Sequence, residues 1–197
     1  MTSRTLQIGA LLMIVTGVVT YYALSLSHPS IEQTSTIAST EPTPTASFSF
    51  PIHEEPKSLP MLSFVDGDKQ KRTLASFREK LVLLNIWATW CTPCREEMPT
   101  LDRLQAKLGG GSFEVVALSI DNADVSLVED FYEELGLEAL AVYIDPTGSA
   151  MTALDVVGIP ATLLISPEGN EIGRVLGPAE WDAPEIVEFL RRRLPLE

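Results

Sequence analysis

The chain has 197 residues, 45% of them hydrophobic, which is enough for one core plus accessory segments. Its formal net charge of −13 argues against nucleic acid as a partner, because such binding demands basic surface; an acidic surface fits a soluble domain or basic partners. The only two cysteines lie in a single Cys-x-x-Cys, so this is no disulfide-stapled scaffold.

Residues 1–5 are read as a short cytoplasmic terminus. No charge occurs between Thr5 and Ser27, and LQIGALLMIVTGVVTYYALSL, residues 6–26, is long enough to span a bilayer as a helix. Arg4 precedes it, and Glu32, Glu41, Glu54 and Glu55 follow, a bias that keeps the N-terminus inside and exports the rest. Ala23-Leu24-Ser25 is small-x-small, so a cleaved signal peptide is the alternative. Residues 27–56, rich in Ser, Thr and Pro, show no periodicity and are read as a flexible tether.

Residues 57–197 are read as one α/β domain. Met61 to Leu74 carries Asp66-Gly67-Asp68 between strand-like stretches and predicts a hairpin. Leu81 to Ala88 is a nearly continuous apolar run, as a buried parallel strand should be. A helix follows the cysteines, with Met98, Leu101, Leu104 and Leu108 on one face and Gly109-Gly110-Gly111 as its stop. Phe113 to Ile120 predicts a second buried strand. Asp124 caps a helix whose apolar side is Val128, Phe131 and Leu135, ended by Gly136. A strand over Ala139 to Ile144 and a short helix over Ala150 to Leu154 come next. Two strands joined at Glu168-Gly169-Asn170 then lead to a last helix opened by Asp182 and Glu185. This alternation of strand and helix predicts a sheet with helices on both faces.

The stretch NIWATWCTPCREEMP, Asn85 to Pro99, carries the chemistry. A zinc site would need more ligands than two cysteines, and both histidines, His28 and His53, lie in the tether. Covalent haem attachment wants histidine after the second cysteine, where this chain has Arg95. A static disulfide gains little by closing so short a loop. Copper relay is weakened by the missing histidine but stays open. The redox reading has positive support: the motif follows a buried strand and opens a helix. Cys91 would sit at the helix N-terminus, where free N–H groups stabilise a thiolate, with Cys94 one turn in as the resolving thiol. Pro93 keeps the turn rigid. No metal or other cofactor is expected.

WATWCTPCREEMP and the later GIPAT together resemble the thioredoxin superfamily, and more narrowly the membrane-anchored TlpA/ResA-like thiol-disulfide oxidoreductases of bacteria. The resemblance covers about Ser58 to Leu194, and GPAEWDAPE, Gly177 to Glu185, is most similar to the TlpA branch. It implies a thioredoxin-like fold, a central mixed sheet flanked by helices, with an N-terminal β-hairpin and a helix-strand insert over Asp124 to Asp145 that helps choose partners. It makes Cys91 the nucleophile, Cys94 the resolving thiol and Pro160 the cis-proline. Trp90, Pro93, Ile159 and Pro160 would line the substrate groove, and Pro99 would kink the active-site helix. Thioredoxin itself has a buried aspartate where this chain has Asn85, so the usual base is absent. Glu97 is then the candidate proton relay to Cys94, although Glu96 and Glu97 also suit a plain helix N-terminus.

The expectation is thus an enzyme facing the periplasm from the bacterial inner membrane, working as a reductant. Its partners would be dithiols of copper chaperones, oxidase subunits or apocytochrome c, with an upstream membrane thiol donor recharging it. A copper-handling module and an oxidant with the same chemistry are the alternatives.

Overall fold

The computed structural model describes residues 50–195. The segments read as a cytoplasmic terminus (1–5), a spanning helix (6–26) and most of the tether (27–49) lie outside the described residues. Among the described residues no helix is long and apolar enough to cross a membrane.

Eight strands form one mixed sheet among these residues: β1 (Ile52–Ser58), β2 (Ser63–Asp66), β3 (Lys71–Thr73), β4 (Leu81–Trp87), β5 (Phe113–Ser119), β6 (Tyr143–Ile144), β7 (Ala161–Ile165) and β8 (Asn170–Leu176), in the order β1-β8-β7-β4-β5-β6-β2-β3. The helices are α1 (Thr92–Leu108), α2 (Ser126–Leu135), α3 (Ser149–Ala153) and α4 (Pro184–Arg191), with a 3-10 turn over Leu74–Phe77. This is the thioredoxin-like fold expected above. The hairpin is the β2–β3 pair, joined to the rest of the sheet through β6 of the insert.

The central strand β4 is buried at every position, between parallel β5 and antiparallel β7. Alternation of side chains divides it between two cores. Val82, Leu84 and Ile86 face a cluster with Phe64, Phe77, Tyr143 and α3 residues such as Ala150. Leu81, Leu83 and Trp87 face the larger cluster built with Met98, Leu101 and Leu104 of α1, Val128 and Phe131 of α2, and Ile186 and Leu190 of α4. By the same alternation Asn85 belongs to the α1 face, a polar residue at the centre of an apolar layer.

Three boundaries differ from the sequence reading. First, β1 begins at Ile52, inside the stretch read as a tether through residue 56. It is an edge strand with mostly exposed residues, so it shows no alternation, and Pro56 is tolerated because one side of the strand is unpaired. Phe50 anchors its start, 3% exposed, with its ring 5.5 Å from that of Phe189 and 6.3 Å from that of Trp181. At Gly173 of β8 a Cβ would run into the Pro51 carbonyl oxygen, so this close approach requires glycine. Secondly, the strand expected over 139–144 is paired only at Tyr143 and Ile144. The Ala139 and Leu140 N–H groups donate to Asp102 Oδ1 at 2.8 and 3.0 Å, which removes them from any ladder. Thirdly, Asp182 opens no helix. Pro184, pre-set for a first helical turn, starts α4, while Asp182 accepts from Arg103 Nε at 2.7 Å.

Candidate active site at the start of helix α1

The site forms where β4 and β5 end and α1 begins, at the carboxyl edge of the parallel pair. Cys91 is the N-cap of α1 and Cys94 lies in its first turn, the two joined as a disulfide. The Cys94 N–H donates to Cys91 Sγ at 3.3 Å, so one of the otherwise unpaired amides of the helix's first turn points at this sulfur. Cys91 is 6% exposed and Cys94 is fully buried, which leaves Cys91 the accessible sulfur. Thr92 and Pro93 begin the helix, where a missing N–H costs nothing.

The Ile159–Pro160 peptide is cis, as the resemblance implies. The Ile159 carbonyl oxygen lies 3.8 Å from Cys91 Sγ, so GIPAT and the dithiol meet across sixty-eight residues of chain. Pro160 is buried, Ile159 and Pro93 are half-buried, and Trp90 is 68% exposed beside the disulfide. Pro99 sits inside α1 without ending it.

Glu97 is no surface decoration. It is 2% exposed, whereas Glu96 points to solvent. Its Oε1 accepts from Asn85 Nδ2 at 2.8 Å; its Oε2 accepts from Trp181 Nε1 at 2.9 Å and from the Ala179 N–H at 3.1 Å. Burial pushes its carboxyl above the ordinary value, and the three donors offset only part of that rise. Asn85 also donates to Thr162 Oγ1 at 2.9 Å, while its Oδ1 has no protein partner. Turning that amide would aim Oδ1 at Glu97, so the pocket can receive either the charged or the protonated carboxyl. Glu97 also borders a cleft of about 210 Å³ lined by Glu96, Pro178, Ala179 and Glu180, which connects it to solvent.

Residues 53–190 match the Redoxin family model. This chain belongs to that family. With its Cys91–Cys94 pair it is a thiol-disulfide oxidoreductase, and the resemblance drawn from the WATWCTPCREEMP and GIPAT motifs is borne out. It is 32% identical over 139 residues to the thiol-disulfide oxidoreductase ResA of Bacillus thuringiensis subsp. konkukian (strain 97-27), covering 71% of this chain and 78% of that one. It is 37% identical over 108 residues to the thiol:disulfide interchange protein CycY of Rhizobium leguminosarum bv. viciae, covering 54% and 55%. A solved thiol:disulfide interchange protein of the thioredoxin family from Chlorobium tepidum TLS superposes with a TM-score of 0.57 at 26% identity, covering 70% of this chain and 97% of that one.

Every site residue named from the sequence gathers at this oxidoreductase's disulfide or, for Glu97, one helical turn from Cys94. Sequence reasoning missed the partners. Trp181 lies in GPAEWDAPE but gave no sign that its indole reaches Glu97. Asp121, just past the end of β5, accepts from the Thr89 N–H and hydroxyl, both at 2.9 Å. An acid at the carboxyl end of a parallel strand was the available signal for it. His53 is far from any thiol role, because its Nε2 meets Glu171 Oε1 at 2.8 Å between β1 and β8.

Proposed function

We propose that this oxidoreductase reduces disulfides in exported proteins, acting from the outer face of a bacterial inner membrane to which residues 6–26 anchor it. The Cys91 thiolate attacks one sulfur of the partner's disulfide. A mixed disulfide forms, and the partner's other sulfur leaves as a thiolate that takes a proton. Cys94 gives its proton to Glu97 and attacks the Cys91 sulfur. The partner's second thiolate leaves, the Cys91–Cys94 disulfide forms, and two electrons have passed to the partner. An upstream membrane dithiol restores the reduced form.

The observation that carries the exchange chemistry is the placing of Cys91 at the helix N-cap with an N–H on its sulfur, where a thiolate is stabilised and Cys91 is the more accessible of the two sulfurs. The direction, toward reduction of the partner, is drawn from the TlpA/ResA-like resemblance. Trp90, Pro93, Ile159 and Pro160 surround Cys91 as the contact surface for an extended peptide. The buried Glu97, one turn from Cys94 and open to a solvent cleft, supports its part as proton relay. The relatives' names, a thiol-disulfide oxidoreductase and a thiol:disulfide interchange protein, support protein thiols and disulfides as substrates, and the TlpA/ResA-like resemblance suggests which: apocytochrome c, oxidase subunits or copper chaperones. Such proteins hold thiol pairs that fail once oxidised.

Cysteine variants test the scheme. Cys91→Ser is expected to abolish exchange, and Cys94→Ser to accumulate a covalent complex with an oxidised protein partner, visible on non-reducing gels. Turnover at the normal rate by either variant would overturn it.

A further inference from the structure

Thr89, two residues before the nucleophile, has each of its polar groups engaged. Its N–H and hydroxyl donate to the two carboxylate oxygens of Asp121, and its carbonyl accepts from Arg95 Nη1 at 3.3 Å. Asp121 is buried, and it is itself fixed by the Ser119 hydroxyl at 2.7 Å. Arg95 sits one turn beyond Cys91, with its own N–H on the Cys91 carbonyl at 3.0 Å. Its guanidinium also donates to Glu134 Oε1 at 2.7 Å and stacks 4.7 Å from the centroid of Phe131. Phe131 and Glu134 both belong to α2, the inserted helix.

Trp90 lies between Thr89 and Cys91. At 68% exposure its indole is not held by burial, so the backbone on either side sets where it points. On one side the Cys91 N–H bonds the Ala88 carbonyl at 3.1 Å. On the other side stands the fully engaged Thr89. Loss of that hold would let the Trp90 step explore other conformations, and a partner would then have to order it on binding.

We propose that Asp121 and Arg95 are positioning residues of the exchange reaction. Acting on Thr89 from opposite sides, they fix the step that presents Trp90 and Cys91 to a protein partner. Through Arg95 this presentation depends on the inserted helix α2. A planar fork is needed for the purpose, since one side chain must reach Thr89, reach Glu134 and stack on Phe131 together.

This inference rests on the proposed role of Trp90 as a partner contact, and the test keeps the two apart. The full-length chain is assayed for reduction of insulin disulfides with dithiothreitol as electron source, and kcat and KM are separated. Arg95→Met and Asp121→Asn are expected to raise KM about five- to tenfold while kcat stays within about twofold. Arg95→Lys, which keeps the charge and loses the fork, is expected to resemble Arg95→Met. The double variant should be little worse than either single one, because both act through Thr89. A fall in kcat at unchanged KM, full rescue by lysine, or additive losses would overturn the proposal. If Asp121→Asn fails to fold, Thr89→Val removes one hydroxyl from the same joint, and an unchanged KM there counts against it. Trp90→Ala isolates the underlying reading. An unchanged KM in that variant defeats both, whereas a raised KM there with unaltered clamp variants defeats the clamp alone.

Discussion

Glu97 accepts three hydrogen bonds in a buried pocket and meets no cation there, so its environment holds the carboxyl above its usual pKa without abolishing the charged form. Only the carboxylate can take the Cys94 proton. Activity that depends on it is therefore present above the raised pKa and declines as pH falls through it. Glu97→Gln is expected to lack that limb of the pH–rate profile and to be slower near neutral pH by roughly a hundredfold, the lower end of general acid–base assistance. Stability moves the opposite way. A carboxyl whose folded pKa is raised contributes fully below its unfolded value, and that contribution is lost as pH rises through the folded one. The Gln variant should thus gain on the wild type between acid and neutral pH in urea unfolding. The Asn85 amide can turn to accept the new N–H. An unaltered pH–rate profile would return Glu97 to a structural role. At this scale the thiols and Pro160 were legible because their spacing carries their chemistry. The donors to Glu97 were not, because Trp181 lies 84 residues away and only the fold joins them.

At the scale of elements, continuous apolar runs and helical periodicity located β4, β5, β7 and α1, whose packing follows directly from their patterns. Elements specified by single contacts escaped. β1 shows no alternation and is held by Phe50, by the room left at Gly173 and by the His53–Glu171 contact. The strand expected over 139–144 was shortened by a carboxylate, Asp102, reaching across from α1. Asp182 similarly serves Arg103 rather than a helix end. The reassigned β1 makes a prediction: Phe50→Ala should destabilise the domain by about 3–5 kcal/mol in denaturant unfolding, as for other buried aromatics. A tether residue would cost nothing measurable. A loss below about 0.5 kcal/mol, the range of ordinary surface changes, would contradict the packing of Phe50 on Trp181 and Phe189.

Over the whole molecule, the fold brings three distant pieces of chain to one edge of the sheet. These are the Thr89–Cys94 turn, the Ile159–Pro160 loop, and the Ala179–Trp181 stretch that holds Glu97. The architecture was legible in the order of strand and helix, whereas the meeting of these pieces depends on sheet order, which no local pattern encodes. Fold and cysteine pair make the chain a thiol-disulfide oxidoreductase, and what decides its part in the cell is the direction of electron flow. It depends on how far the helix N-terminus and the Cys94 N–H stabilise the Cys91 thiolate against the disulfide. The most direct test is the reduction potential of the Cys91–Cys94 couple, measured on the full-length chain equilibrated against defined thiol buffers. A donor of electrons to protein disulfides requires a value near that of thioredoxin, about −270 mV, and that is the result expected. A value near about −120 mV, that of a strong disulfide donor, would contradict it.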